Sequence, residues 1–338
     1  MGGGLLPGFN GPRLIQLMGS AIERCRLDLR GLVVLTEAAS GAYVVTPLLA
    51  AMAGARRVYA VTRTTRHGSA GDVRAATMEL AWSAGVADRI EVVTELTPGM
   101  IQAADIVTNS GHVRPIDAAM IAELRQCAVV PLMYEAWEYR ASDVDLAACR
   151  RRGIAVAGTN ERHRNVDVFS YLGIMAVKLL LDAGVEVHGS EILLVCDNPF
   201  APFIERGLAG AGAKVTVVGG LDQARDDVSF PRLDAILLAA HPGRGRPLGV
   251  PEAGRIAARW PGAVLAQFWG DVDREAFGRA GVPCWPERPP SPGHMGILPS
   301  GVGPEPIVRL QSGGLKVGEA LVRARSGDRA GWEYVDEL

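Results

Sequence analysis

His294 sits in the run Gly293-His294-Met295-Gly296, inside the Pro- and Gly-rich stretch 286–306. Flanking glycines free the backbone to carry the ring toward a ligand, and imidazole has the ordinary pKa that suits proton transfer near neutrality. His294 is therefore the leading candidate proton carrier, with Glu135 as its acidic partner; a loop histidine satisfied by nearby backbone is the competing reading. Arg114 and Arg162 could clamp a substrate anion, with His112 and Trp269 completing a substrate-binding set. The histidines show no H-x-x-x-H or H-E-x-x-H spacing, so no metal site is expected.

A second group of residues points to a phosphorylated ligand. Glu37-Ala-Ala-Ser40-Gly41-Ala-Tyr43 follows the first apolar run, where a strand–turn–helix passage offers backbone N–H groups to an anion. Only Gly41 remains of a glycine-rich fingerprint, so Ser40 and Gly41 either cradle a phosphate or form a plain structural turn. The next apolar run ends in Val61-Thr62-Arg63-Thr64-Thr65-Arg66-His67. An acid at that position would hold the ribose of NAD, whereas Arg63 and Arg66 suit the extra phosphate of NADP; solvated surface arginines are the alternative. Asn109, Asp197 and Asn198 follow later apolar runs and complete the cofactor-binding candidates.

The elements that must position these residues are short Val/Ile/Leu runs alternating with helix-like stretches, the pattern of a parallel sheet covered on both faces. Strands are expected at 32–36, 58–62, 90–94, 105–109, 129–134 and 154–157, then at 192–196, 214–218, 235–239, 264–268 and 282–285. Segments 47–53 and 116–124 read as helical. Further polar residues crowd the strand ends: Tyr134, Trp137, Glu138, Asn160, Glu161 and His163 in the first half, His241, Arg244 and Asp271 in the second. An open α/β sheet binds ligands at that edge.

The halves resemble each other. Asp143-Val-Asp-Leu-Ala-Ala-Cys-Arg-Arg-Arg-Gly-Ile aligns without a gap on Asp271-Val-Asp-Arg-Glu-Ala-Phe-Gly-Arg-Ala-Gly-Val, through duplication or through the common grammar of such units. The fold class expected is α/β, two tandem Rossmann-like doubly wound parallel-sheet lobes lining a shared cleft: 1–165, a connecting helix within 166–189, 190–312, and a C-terminal helix and tail at 313–338.

Three resemblances follow. GARRVYAVTRTTR (54–66) resembles the matching segment of shikimate-dehydrogenase-type NADP enzymes. AGVADRIEVV (84–93) resembles a passage of class I methyltransferases, although Thr62 and Arg63 stand where those enzymes place an acid. DVDLAACRRRGIAVAGTNERHRNVDVFSYLGIMAV, continuing through SEILLVCDNPFAPFIERGLAGAGAKVTVV, resembles the D-2-hydroxyacid (formate/glycerate) dehydrogenases of the NAD(P)-binding Rossmann superfamily. The layout matches over some 150 residues. The family's glycine fingerprint is replaced by Cys196-Asp197-Asn198-Pro199-Phe200, its substrate arginine falls nearest Trp269, and its catalytic histidine nearest His294.

Composition narrows the classes. A chain of 338 residues with 48% hydrophobic and 21% charged residues has the material for two cores. A net charge of −2 gives no field for nucleic acid or an anionic membrane. The five scattered cysteines lack any C-x-x-C pair, and the start MGGGLLPGFN is no signal peptide, so a cytoplasmic protein is expected. The function expected is an NAD- or NADP-linked oxidoreductase acting on a small polar or carboxylate-bearing metabolite in the cleft, without nucleic acid or membrane, as a homodimer. An S-adenosylmethionine-dependent enzyme and a non-catalytic ligand-binding or assembly protein remain open alternatives.

Overall fold

The structure, a computed structural model, describes residues 7–223, 232–242 and 247–338; Arg244 lies outside them. In chain order the first half holds α1 (Gly11–Cys25), β1 (Val33–Glu37), α2 (Val45–Met52), β2 (Arg57–Val61), α3 (Ala70–Ser83), β3 (Ile90–Val93), α4 (Pro98–Ala103), β4 (Ile106–Val107), α5 (Ala118–Glu123), β5 (Val129–Pro131), α6 (Leu146–Arg152) and β6 (Ala155–Thr159). The second half holds α7 (Leu172–Asp182), β7 (Glu191–Val195), α8 (Ala201–Gly210), β8 (Lys214–Val218), β9 (Ala235–Ala239), α9 (Val250–Arg259), β10 (Val264–Trp269), α10 (Arg274–Arg279) and β11 (Cys284–Trp285). The chain closes with α11 (Glu305–Ala324) and β12 (Val335–Asp336).

Two units result, Met1–Val168 with Gly303–Leu338, and Phe169–Val302. The first sheet runs β12-β6-β5-β4-β1-β2-β3, parallel except for β12 against β6. Its parallel part has the 3-2-1-4-5-6 order of the doubly wound nucleotide-binding fold, whose ligand crevice opens where the order reverses, here between β1 and β4. The second sheet runs β11-β10-β9-β7-β8, all parallel, and reverses between β7 and β9.

Every residue of β1 is buried, as expected of a central parallel strand covered on both faces. One face packs α1, α2 and α11 through Met18, Leu48, Val58 and Leu315; the other packs α5 and α6 through Leu35, Val107, Ile121 and Cys149. Small residues let α11 lie close to the sheet: a Cβ at Gly314 would overlap Met133 Sδ. In the second unit, Leu193, Ile236, Ile256 and Phe277 centre the core. There α7 crosses α8 at Gly173 and Gly207, whose backbones leave no room for side chains.

Two helices differ from the sequence reading. The connecting helix expected within 166–189 covers only α7, because Asp167 takes a left-handed φ of 47° and a 3-10 turn at Phe169–Tyr171 precedes it. The C-terminal helix starts at Glu305 rather than 313, its first turn carrying Pro306, and it belongs to the first unit. Helix α1 and strand β12 have no counterpart in the sequence reading.

Candidate functional site

At the β1/β4 reversal of the first unit, β1 delivers Glu37 to its end. This carboxylate is 6% exposed, and its Oε2 accepts the His112 backbone N–H at 2.9 Å. Beside it, the Tyr43 phenol is pushed up to about 12, by burial first and then by the Glu37 charge. A buried hydroxyl chain joins the two strand ends: Thr36 to Thr108 at 2.7 Å and Thr108 to Ser110 at 2.7 Å. Asn109 Oδ1 accepts from Met133 N at 2.7 Å, while its buried Nδ2 has no hydrogen-bond partner among the described residues. Burial of an unpaired donor is unfavourable, and ligand-binding edges are where such groups persist.

The Ser40–Gly41 turn opens the helical segment on this edge. Gly41 has φ 64°, which favours glycine, and no side chain caps the turn, so its first N–H groups are not taken by a capping oxygen. Ser40 and Gly41 border a cavity of about 700 Å³ with Leu14, Val44, His67 and Asp72. Arg63 and Arg66 lie exposed on the loop after β2, and Arg66 Nε donates to His67 Nε2 at 3.1 Å.

Both arginines proposed for a substrate anion already hold a carboxylate. Arg114 Nη1 donates to Asp143 Oδ2 at 2.8 Å, and the Tyr134 hydroxyl donates to the same oxygen at 2.9 Å. Arg162 Nε donates to Glu135 Oε1 at 3.0 Å, and the Trp137 indole donates to Oε2 at 2.6 Å. Glu135 is fully buried; burial raises its pKa, and these two donors pull it back. Glu138 is pushed up to about 7, chiefly by burial and then by Glu135. Burial, then Glu138 and Glu135, hold Glu161 well above the usual carboxylate range.

In the second unit the strand ends enclose a cavity of about 840 Å³ at the β7/β9 reversal, lined by Asp197, Asp222, His241, Glu252, Arg255 and Asp271 among others. Asp222 follows β8, the position from which an acid holds a ribose. The turn before α8 is closed: Asn198 Oδ1 takes Phe200 N at 3.0 Å, Asn198 O takes Ala201 N at 3.3 Å, and residue 202 is proline. Asp197 Oδ1 accepts from His241 N at 2.8 Å. Trp269 packs on His241 and Phe200, with ring centroids 4.9 and 5.5 Å apart, and its indole donates to Gly293 O at 3.2 Å. That bond ties the His294 loop to the end of β10. His294 itself is exposed, with Nδ1 3.1 Å from Pro292 O.

The chain is similar in fold to dipicolinate synthase. The Bacillus subtilis protein superposes with a TM-score of 0.53 at 12% identity, over 90% of this chain and 100% of that one. The Bacillus halodurans protein gives 0.52 at 11% identity, over 88% and 98%. A formate dehydrogenase from Staphylococcus aureus in complex with NAD gives 0.43 at 13% identity, over 88% and 96%. No family profile and no curated protein matches the sequence. What is shared with the two synthases is the two-lobed Rossmann architecture expected from the alternation of strands and helices.

His294 and Glu135 fall in different units, and each ring nitrogen or carboxylate oxygen described above has a local partner. Ser40 and Gly41 follow β1 and Asn109 follows β4, the two strands that flank the first reversal, while Asp197 and Asn198 follow β7 at the second. Sequence reading assigned no specific role to Glu37, Tyr43 or Asp143, and took Glu138 and Glu161 only as members of the polar group at the strand ends. Glu37 could have been found as the last residue of the first strand; Asp336 could not, because β12 is two residues long. No group of three His, Cys, Asp or Glu among the described residues is placed to hold a metal ion, and no described helix is long and apolar enough to cross a membrane.

Proposed function

We propose that the protein is a dinucleotide-linked oxidoreductase acting on a small polar or carboxylate-bearing metabolite. The observation that carries this reading is the uncapped Ser40–Gly41 turn beside a cavity of about 700 Å³, next to the β1/β4 reversal of a 3-2-1-4-5-6 sheet. The group fits the residues there: open N–H groups meet a pyrophosphate, and Arg63 and Arg66, with no acid at the end of β2, favour the 2′-phosphate of NADP over NAD. Bound there, the nicotinamide supplies or accepts the hydride. The protein's own part is to orient the substrate and move a proton. Arg114, anchored by Asp143, can present remaining N–H donors to a substrate anion. His294, exposed on a loop of the second unit that the Trp269 indole holds, is the histidine whose part in proton transfer a turnover assay tests.

The second unit favours a different ligand. Asp222 suits a ribose, yet the closed turn at 197–201 withholds the N–H groups that a pyrophosphate needs. An adenosyl ligand without phosphates, such as S-adenosylmethionine, matches that cavity better than a dinucleotide does. Thermal-shift titration with NADP, NAD, S-adenosylmethionine and S-adenosylhomocysteine separates the readings, since a ligand at a hundred times its Kd adds roughly 2.7 kcal/mol. Stabilisation by NADP is expected; stabilisation by the adenosyl compounds alone, lost in Asp222→Asn, would transfer the function to the second reading.

A further inference from the structure

Thr62 follows β2 directly, and its backbone N–H donates to Val93 O at 2.8 Å, which fixes it where β2 and β3 finish. The residue is 1% exposed, and its buried Oγ1 has no hydrogen-bond partner among the described residues. A hydroxyl withdrawn from water without such a bond is unfavourable. Thr62 also lines a cavity of about 330 Å³, together with Ala70, Arg74, Glu91, Thr94 and Glu95 among others. The unpaired group thus belongs to the wall of a space that a ligand can enter.

The other groups at this cavity suit an anion. Helix α3 is 14 residues long and begins at Ala70. Three of its first N–H groups are taken: Ala70 N donates to Thr64 Oγ1, Asp72 N to Ser69 Oγ and Val73 N to Ser69 O, each at 3.1 Å. The Gly71 N–H has no partner among the described residues, so the positive end of the helix dipole keeps one open donor. One turn further on, Arg74 is exposed and forms no ion pair among the described residues. Of the two acids in the lining, Glu91 is paired with Arg57, and Glu95 is exposed.

We propose that this cavity is a subsite for a phosphate monoester. Such a group carries three acceptor oxygens and close to two negative charges, enough to engage the Thr62 hydroxyl, the Arg74 guanidinium and the Gly71 N–H together, whereas a carboxylate has only two oxygens. The Thr62 hydroxyl then gains the acceptor that the chain withholds. Binding is non-covalent, and no bond in the ligand changes. The phosphate can belong to the 2′ position of NADP, since Arg63 follows Thr62 directly, or to a separate phosphorylated metabolite. The first source rests on the dinucleotide reading and adds Thr62 and Arg74 to the residues that distinguish NADP from NAD; the second stands without it.

The test is calorimetric titration of the full chain with adenosine 2′-monophosphate, sodium phosphate, NADP and NAD, repeated in Thr62→Val and Arg74→Ala. Saturable binding of adenosine 2′-monophosphate, its displacement by inorganic phosphate, and at least a tenfold loss in each variant are expected. Thr62→Val removes an unpaired buried hydroxyl, so its Tm should equal or exceed that of the parent while phosphate binding falls, a combination that a merely structural threonine would not give. Arg74 is exposed, and its variant serves if Thr62→Val does not fold. A parallel loss of NADP with NAD unchanged assigns the phosphate to the nucleotide; loss of inorganic phosphate with NADP unchanged assigns it to a separate metabolite. No binding of either adenosine 2′-monophosphate or inorganic phosphate to the parent, or unchanged affinity for both in the two variants, would overturn the proposal. Failure of the dinucleotide reading looks different: neither NADP nor NAD binds, while inorganic phosphate still does.

Discussion

At the scale of single residues, the raised carboxylates tie stability to pH. Glu138 and Glu161 sit above the usual carboxylate range in the folded chain, mainly because burial disfavours their charged forms. An acid whose folded pKa exceeds its unfolded one contributes stability that is fully present below the unfolded value and lost as pH rises through the folded value, about 7 for Glu138. Glu161→Gln mimics the neutral acid and cannot ionise. Its Tm should match the parent near pH 4 and exceed it near pH 8.5, as read by circular dichroism; a variant less stable at both would place Glu161 in an ordinary structural role. For His294, a turnover assay should show kcat lowered roughly 10²–10⁴-fold in His294→Asn with ligand affinity little changed. An undiminished kcat removes it from the chemistry. The sequence made Glu135, Arg162 and Ser40 legible as residues following strands. It did not reveal that Arg162 and Trp137 converge on one carboxylate, because such convergence is set by side-chain direction across two loops.

At the scale of elements, the strands were readable because a parallel strand covered on both faces must be apolar along its length; β8 and β9 lie where the Val/Ile/Leu runs place them. Two-residue β12 carries no such signal. Helix α1 begins at Gly11-Pro12, which reads as a turn until Asn10 is seen to accept Arg13 N as an N-cap. The α7–α8 crossing depends on residues that sequence periodicity treats as neutral. Gly207→Ala places a methyl against the Gly173 backbone and should destabilise by about 1–3 kcal/mol, the usual result of overpacking. Calorimetry of that variant should show a lowered second-unit transition; an unchanged one would mean the helices separate without cost.

At the scale of the whole molecule, the chain leaves the first unit at Val168 and returns to it at Gly303. The tandem-lobe reading foresaw two Rossmann units from the internal match but not this return, since nothing local in GGLKVGEALVRAR says which sheet its apolar face covers. Helix α11 buries Ile307, Leu315 and Val317 in the first core. A chain ending at Val302 should therefore lose protease resistance in the first unit first, followed by mass spectrometry of the fragments; first-unit fragments surviving as in the full chain would contradict that division. The reading of the first unit as the nucleotide-binding one is tested most directly by calorimetric titration of NADP and NAD into the full chain and into the Arg63→Ala/Arg66→Ala variant. Saturable NADP binding is predicted, tighter than NAD, with the double substitution weakening NADP by roughly tenfold or more, as expected for lost contacts to a phosphate, and leaving NAD nearly unchanged. Absence of binding by either nucleotide, or equal losses for both, would contradict it.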